Sequence, residues 1–266
     1  MSISLKGDQK ISNVPATKSK ALRINLNSDI YGTFAEIGAG QETARNFFRA
    51  GGASGTIAKA MSAYDKDFSD AIYGIEEDRR YVTEDRLKRM LHHEVDLMED
   101  RLSRKKHPNK LFFSYANTVA TINFTKTFKG HGWMGIRFQT DPSKETNEII
   151  IHFRLGENEA KHQQETVGRL GTNLIFGAYN YFEDPKFFLS TLYDNIDKDA
   201  IEIDLINFSG PDFEVVDNRL MSLQLIKNGY TEAVIFGPEG NNLLPAELLY
   251  KKNILAMTLR KKLIQH

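Results

Sequence analysis

The chain has 266 residues, 41% hydrophobic and 26% charged, the composition of a globular protein with one large or two modest domains. Its 35 Lys and Arg balance 35 Asp and Glu, so no global field favours nucleic acid or an anionic membrane, and little charge repulsion opposes homo-oligomers. The absence of cysteine excludes disulfides, thiolate nucleophiles, iron–sulfur clusters and cysteine zinc sites.

Residues 1–20 are rich in Ser, Lys, Asn and Thr and read as a flexible tail without an apolar signal core. No apolar run reaches the roughly 20 residues that span a bilayer, so a cytoplasmic protein with no membrane span is expected. Leu22–Leu26 alternates apolar and polar residues and predicts a short strand, followed by a polar loop. Gly38-Ala39-Gly40 then leads into a short helix over 42–50, in which Glu42 and Arg45 can pair at i, i+3. Gly51-Gly52 stops that helix, and Ser54 is placed to cap a second one from Gly55 to Tyr64. Residues 71–81 read as loop.

Thr83 caps the clearest helix, whose apolar stripe is Leu87, Leu91, Val95, Met98 and Leu102. Residues 110–128 predict one long strand or two, and 133–139 a further strand. From 148 onward three strand–loop–helix units alternate. Their strands are 148–155, 200–206 and 232–236; their helices are 158–181 with 185–195, 213–228 and 245–252. The expected fold is therefore α/β: a mixed sheet with a parallel, Rossmann-like second half and a less regular α+β first half. The α+β region covers 21–146. The parallel region covers 147–266, either as its own unit or continuous with the part before it.

Candidate chemistry sits on loops. A glycine-rich entry to a helix can hold phosphate on backbone N–H groups, so Gly38, Gly40, Gly51, Gly52, Ser54 and Gly55 are candidate ligand residues, with Arg45 as a supplementary cation. Neither stretch completes a dinucleotide fingerprint or a P-loop, and turn chemistry alone would also explain both. In a parallel sheet, ligands bind outside the carboxyl ends of the strands. That adds Ser209 and Gly210, and the loop of Gly237, Glu239, Asn241 and Asn242. Ser209 suits a helix cap better than a nucleophile, since no Gly-x-Ser-x-Gly surrounds it.

Glu94 interrupts the apolar stripe. A carboxylate there needs a partner or a raised pKa, which makes it a weak acid–base candidate beside Glu239, or one half of a buried ion pair. No metal site is expected: His92 and His93 are adjacent and cannot share a helix face, and His131, His152 and His162 read as isolated. The sequence identifies no cofactor.

The strings INLNSDIYGTFAEIGAGQETARNFFRAGGASGTIAKAMSAYD, GWMGIRFQT, NEIIIHFRL and LGTNLIFGAYNYF resemble an uncharacterised bacterial family. Its members carry the labels nicotinate-nucleotide adenylyltransferase and, in some cases, TonB-dependent receptor. The first label implies a His-x-Gly-His pair at a first strand. Lys129-Gly130-His131-Gly132 supplies one histidine and no second, so the resemblance transfers no catalytic residue. It raises the expectation of nucleotide binding slightly. The activity is unassigned. A nucleotide or phosphorylated small molecule is the expected ligand, and a non-enzymatic homo-oligomeric scaffold is the alternative.

Overall fold

The computed structural model describes residues 14–102 and 105–244. Its centre is a six-stranded sheet in the order β2-β1-β3-β4-β5-β6. The strands are β1 (Ile30–Gly38), β2 (Ile57–Met61), β3 (Leu111–Ala120), β4 (His131–Phe138), β5 (Asn147–Leu155) and β6 (Ile201–Ser209). The helices are α1 (Thr17–Asn25), α2 (Glu42–Ala50), α3 (Lys66–Tyr73), α4 (Glu84–Arg101), α5 (Ala160–Asn180), α6 (Pro185–Thr191) and α7 (Asn218–Asn228). Two-residue strands β7 (Ile235–Phe236) and β8 (Asn242–Leu243) form a separate hairpin. The sheet crosses residue 147 without a break, because β4 pairs with β5 along its whole length.

Side chains alternate along each strand, so the sheet feeds two cores. Phe34, Phe113, Tyr115, Ile136, Ile149 and Phe153 meet Ile24, Phe47, Leu170, Phe188 and Leu225 from α1, α2, α5, α6 and α7. Ala35, Ala116, Trp133, Ile150 and Leu205 meet Tyr73 of α3 and Leu87, Met90 and Leu91 of α4 on the opposite face. This is the layered arrangement of an α/β domain.

The α/β class and the mixed sheet agree with the sequence. The strand directions correct it. The parallel pairs are β1 with β2 and β1 with β3, in the first half. The pairs β3–β4, β4–β5 and β5–β6 are antiparallel. Between β5 and β6 the chain runs down the sheet in α5 and comes back through α6 and residues 192–200. It therefore enters β6 at the end where it left β5. The sequence predicts both helices of this connection but takes it as a crossover, which would have made the pair parallel.

Three local elements also differ. Leu22–Leu26 is not a strand: residues 17–25 are helical, with Lys20, Ala21, Ile24 and Asn25 buried at one-turn spacing, so helix reaches into the expected tail. The expected polar loop is β1, whose Thr33 and Glu36 are buried polar residues. The expected second glycine-led helix is a short 3-10 turn over Ala53–Gly55 followed by β2. Conversely, Thr83 does cap α4, its hydroxyl accepting the Arg86 N–H at 3.2 Å. The helix expected at 245–252 lies outside the described residues.

Candidate functional site

The first glycine turn leaves the C-terminal end of β1 and enters α2. Gly38 has φ +72°, and a Cβ there would stand 2.4 Å from the Val119 carbonyl. A Cβ on Gly40 would stand 1.9 Å from Asn117 Oδ1. The turn is therefore pressed against β3. Glu36 rises from β1 beneath it and accepts the N–H groups of Thr43 at 3.1 Å and Ala44 at 3.3 Å. Asn117 Nδ2 donates to Glu36 at 3.3 Å, to the Gly40 carbonyl at 2.9 Å and to Tyr115 Oη at 3.1 Å. The N-terminus of α2 thus holds a carboxylate of the chain itself, in the position the helix dipole favours for an anion. Burial pushes the Glu36 carboxyl up to about 7, against the donors that pull it down. Gly168 and Gly171 of α5 admit α2 from the other side, where a Cβ on Gly171 would meet Thr43 Oγ1 at 2.4 Å.

The other candidates lie elsewhere. Gly51 and Gly52 have φ of +88° and +71° and turn the chain into a strand near the N-terminal end of β1. Asn25 Nδ2 holds the Gly51 carbonyl at 2.7 Å, while Ser54 and Gly55 are exposed. Arg45 pairs with Glu42 at 2.7 Å. Ser209 is exposed at the end of β6, and Gly210 packs on Asn147. Gly237 closes a tight turn on Asn241, and Asn242 Nδ2 donates to the Ile206 carbonyl at 2.9 Å. The two glycine turns and the 237–242 loop do not face one cavity. Glu94 is fully buried; Lys59 Nζ stands 2.6 Å from its Oε2 and Tyr73 Oη donates to its Oε1 at 2.9 Å. Lys59 on β2 supplies the partner that a carboxylate on an apolar stripe requires.

Two open cavities stand out among the described residues. One, of about 520 Å³, is bordered by Glu239, Gly240, Asn241 and Asn242 together with Asp217 and Arg219. Its cations are committed: Arg219 to Asp217 at 2.8 Å and Lys88 to Glu84 at 2.7 Å. The other, of about 510 Å³, lies where β5 ends, β6 begins and α5 starts. Lys129, Arg154 and Lys198 line it, as do Glu157, Asp199, Glu202 and Glu232. Arg154 Nε is held by Asp204 at 2.9 Å. Lys198 Nζ reaches only the Asn228 carbonyl, at 3.4 Å, and among the described residues neither Lys198 nor Lys129 forms an ion pair. Glu159, at the start of α5, makes no side-chain cap.

Beside this cavity runs a row of side chains that the sequence treated as separate. His131 begins β4, His152 lies on β5 and Asp204 on β6. Asp204 Oδ1 stands 2.5 Å from His152 Nδ1, and His152 Nε2 stands 3.3 Å from His131 Nδ1. His152 and Asp204 are buried, and His131 is half-buried. The register slips by one residue between His152 and Phe153, leaving Asp204 as the extra residue of a β-bulge. Trp133 packs against His152 with centroids 4.8 Å apart. Burial, and then the neighbouring His152, hold His131 down to about 4. No local spacing could have shown this row, since it is assembled by strand register. The groups bond in series, and among the described residues no set of three or more His, Asp or Glu is placed to hold a metal.

The fold and the cavity define an α/β protein with a mixed six-stranded sheet and a polar cleft at one sheet end. No family model matches the chain, and no curated protein matches it. Solved structures similar to it include the competence/damage inducible protein CihA from Agrobacterium tumefaciens, 15% identical with a TM-score of 0.45 over 64% of this chain and 99% of that one. A competence-damaged protein (CinA) superfamily protein from Enterobacter cloacae is 10% identical, with a TM-score of 0.42 over 68% and 99% of the two chains. Another CinA superfamily protein, from Escherichia coli, is 13% identical, with a TM-score of 0.39 over 72% and 95%. These findings overturn the resemblance to proteins labelled nicotinate-nucleotide adenylyltransferase or TonB-dependent receptor, for neither name is found among them. Likeness at this level carries no activity over to this chain. Among the described residues no helix is long and apolar enough to cross a membrane.

Proposed function

We propose that the chain is a soluble cytoplasmic protein that binds a phosphorylated small molecule, of nucleotide size, in the cavity between the ends of β5 and β6 and the start of α5. The observation that carries this is the pair Lys129 and Lys198, which line one cavity without a carboxylate partner among the described residues. The cavity's volume of about 510 Å³ is within the usual range for small-molecule sites, roughly 300–1,000 Å³. The uncapped start of α5 adds a positive end of a helix dipole. The four carboxylates at the same rim suit the hydroxyl or amino groups of such a molecule, and they argue against a bare polyanion. Calorimetric titration with nucleoside phosphates and sugar phosphates tests the proposal. At least one should bind, and Lys129→Ala/Lys198→Ala should weaken it by about 10-fold or more, since each charge-assisted bond contributes roughly 1.5–3 kcal/mol. Silence across the panel, or unchanged affinity in the double variant, would overturn it.

One observation favours assembly as a second reading. Val215 is 95% exposed, and Leu220 and Leu223 of α7 are 56% and 47% exposed. These exposed apolar side chains suit contact with a second copy of the chain. Light scattering that shows a strict monomer at high concentration would remove it.

A further inference from the structure

The loop that joins β3 to β4 holds an aromatic ring out in water. Residues 121–130 read TINFTKTFKG, with two phenylalanines, two lysines and no carboxylate. The tip is bonded to itself. Asn123 Oδ1 accepts the N–H groups of Thr127 at 2.9 Å and Phe128 at 3.1 Å, and its Nδ2 donates to the hydroxyls of Thr125 at 3.0 Å and Thr127 at 2.9 Å. The Asn123 carbonyl accepts the Lys126 N–H at 2.9 Å, and Lys126 turns the chain with φ +56°. Phe128 packs on the His131 ring with centroids 5.8 Å apart, whereas Phe124 is 101% exposed, more than any other phenylalanine among the described residues. Both arms of the loop border the cavity of about 510 Å³: Ile122 and Lys129 line it, and the Ile122 N–H is fixed to Gln163 Oε1 at 2.7 Å. Two residues of extended chain span at most about 7 Å, so Phe124 lies within that reach of the cavity wall at Ile122. A lone exposed ring needs no explanation. One held out by a bonded turn, with lysines on the same loop and a cavity at its base, supplies the parts that a nucleotide needs: a face for the base and cations for the phosphate.

We infer that Phe124 is the stacking platform for the base of a nucleotide whose phosphate lies at Lys129 and Lys198. This rests on the binding proposal above and narrows its ligand from phosphorylated small molecules in general to nucleotides. The base packs on the ring at the cavity rim, the phosphate meets the two lysines inside it, and the carboxylates that line it are left for the ribose hydroxyls. A sugar phosphate offers the ring nothing to stack on. Stacking is tolerant of base identity, because every base has a π-face, so affinity depends on the presence of a base more than on which base it is.

Calorimetry and NMR of the phenylalanine rings, both on the full chain, test this. A nucleoside monophosphate should bind more tightly than ribose 5-phosphate by about 5-fold or more. Phe124→Ala should weaken the nucleoside monophosphate by roughly 5- to 150-fold, the range for one stacked base, and leave ribose 5-phosphate unchanged. Phe124→Tyr should keep the preference. The ring is in water, so circular dichroism should show all variants folded like the wild type. Equal binding of the two ligands by the wild type, or a preference that survives Phe124→Ala, overturns the platform and leaves the phosphate site standing. Uncharged nucleosides separate the proposals in the other direction, because they need the ring and not the lysines. At millimolar concentration they should shift the Phe124 ring resonances, identified by their loss in Phe124→Ala. If they do so while no phosphate binds, the cavity proposal fails and the platform stays; if neither nucleosides nor phosphates reach the ring, both fail. A Phe124→Ala chain that loses a wild-type dimer but keeps its nucleotide affinity would assign the ring to a second copy and overturn the platform.

Discussion

Gly40→Ala separates two uses of the first glycine turn, as a cradle for a ligand and as a packing contact. The new methyl would stand 1.9 Å from Asn117 Oδ1, 2.5 Å from its Cγ and 2.8 Å from its Nδ2. Asn117 is buried, and its amide is tied to the Gly40 carbonyl, Tyr115 and Glu36, so it has no free direction in which to yield. Overpacking of this kind costs about 1–3 kcal/mol. Breaking two of the amide's hydrogen bonds adds roughly 0.5–1.5 kcal/mol each. A loss of about 2–6 kcal/mol is expected, which for a chain of this size lowers Tm by roughly 4–24 °C. Urea and thermal unfolding of the ligand-free protein read it directly. Asn117→Ala removes the obstacle, so the double variant should be more stable than the sum of the single losses implies, by about 1 kcal/mol or more. A ligand cradle predicts something different: normal stability without ligand and weakened binding with it. Gly40→Ala within 0.5 kcal/mol of wild type, or strictly additive losses, would refute the packing argument; the threshold is roughly the scatter of neutral surface substitutions.

Lys59→Ala leaves Glu94 buried with Tyr73 alone; because Lys59 is about a third exposed, the loss should be roughly 1–3 kcal/mol in urea, and Glu94→Gln in the same chain should recover part of it. Glu36 is raised to about 7 in the fold from an ordinary 4.5, so the native state binds the extra proton between those values and this contribution to stability is lost as pH rises through the window. Glu36→Gln should flatten that part of the pH–stability curve, which unfolding at pH 5 and 7.5 would show. His131 has the opposite sign: lowered from 6.5 to about 4, it makes stability fall as pH drops through that interval, and His131→Gln should remove the fall. Arg86 is fully buried and donates to Asp70 at 2.7 Å, to Ser69 at 3.0 Å and to the Gly74 carbonyl at 2.6 Å. Arg86→Met should therefore speed limited proteolysis within residues 69–81, with little change elsewhere.

What the sequence could show depended on whether the determining contacts were local. The α4 stripe and its Thr83 cap are local, and so is the continuous apolar run of β5; both are read from one stretch of chain. Glu94 announced a missing partner through its place on that stripe, though nothing in its own helix named Lys59. Strand direction was not local. Two helices between β5 and β6 were legible, but the end of the sheet to which they return the chain is set by how α6 packs on α5, where Phe188 meets Gly177. Leu22–Leu26 failed for a different reason: five alternating residues fit a strand as well as they fit the last turns of a helix whose earlier turns looked like tail.

The histidine row marks the far limit of the same argument. His131 and His152 are 21 residues apart, and His152 and Asp204 are 52 apart, so no spacing rule links them. Antiparallel pairing of β4 with β5 sets Trp133 opposite His152 and His131 opposite Arg154, and the one-residue slip against β6 brings Asp204 into line. Had the second half been parallel, the same residues would not have shared this register. The strand directions that overturned the expected topology thus also create the candidate site. The consequence can be checked in the bulge itself. Deleting Asp204 should restore a regular β5–β6 ladder and keep the fold. It should also leave His152 Nδ1 without its carboxylate partner, so the nitrogen resonances of that ring should change. If the ring were unchanged after the deletion, the bulge would have no part in aiming it.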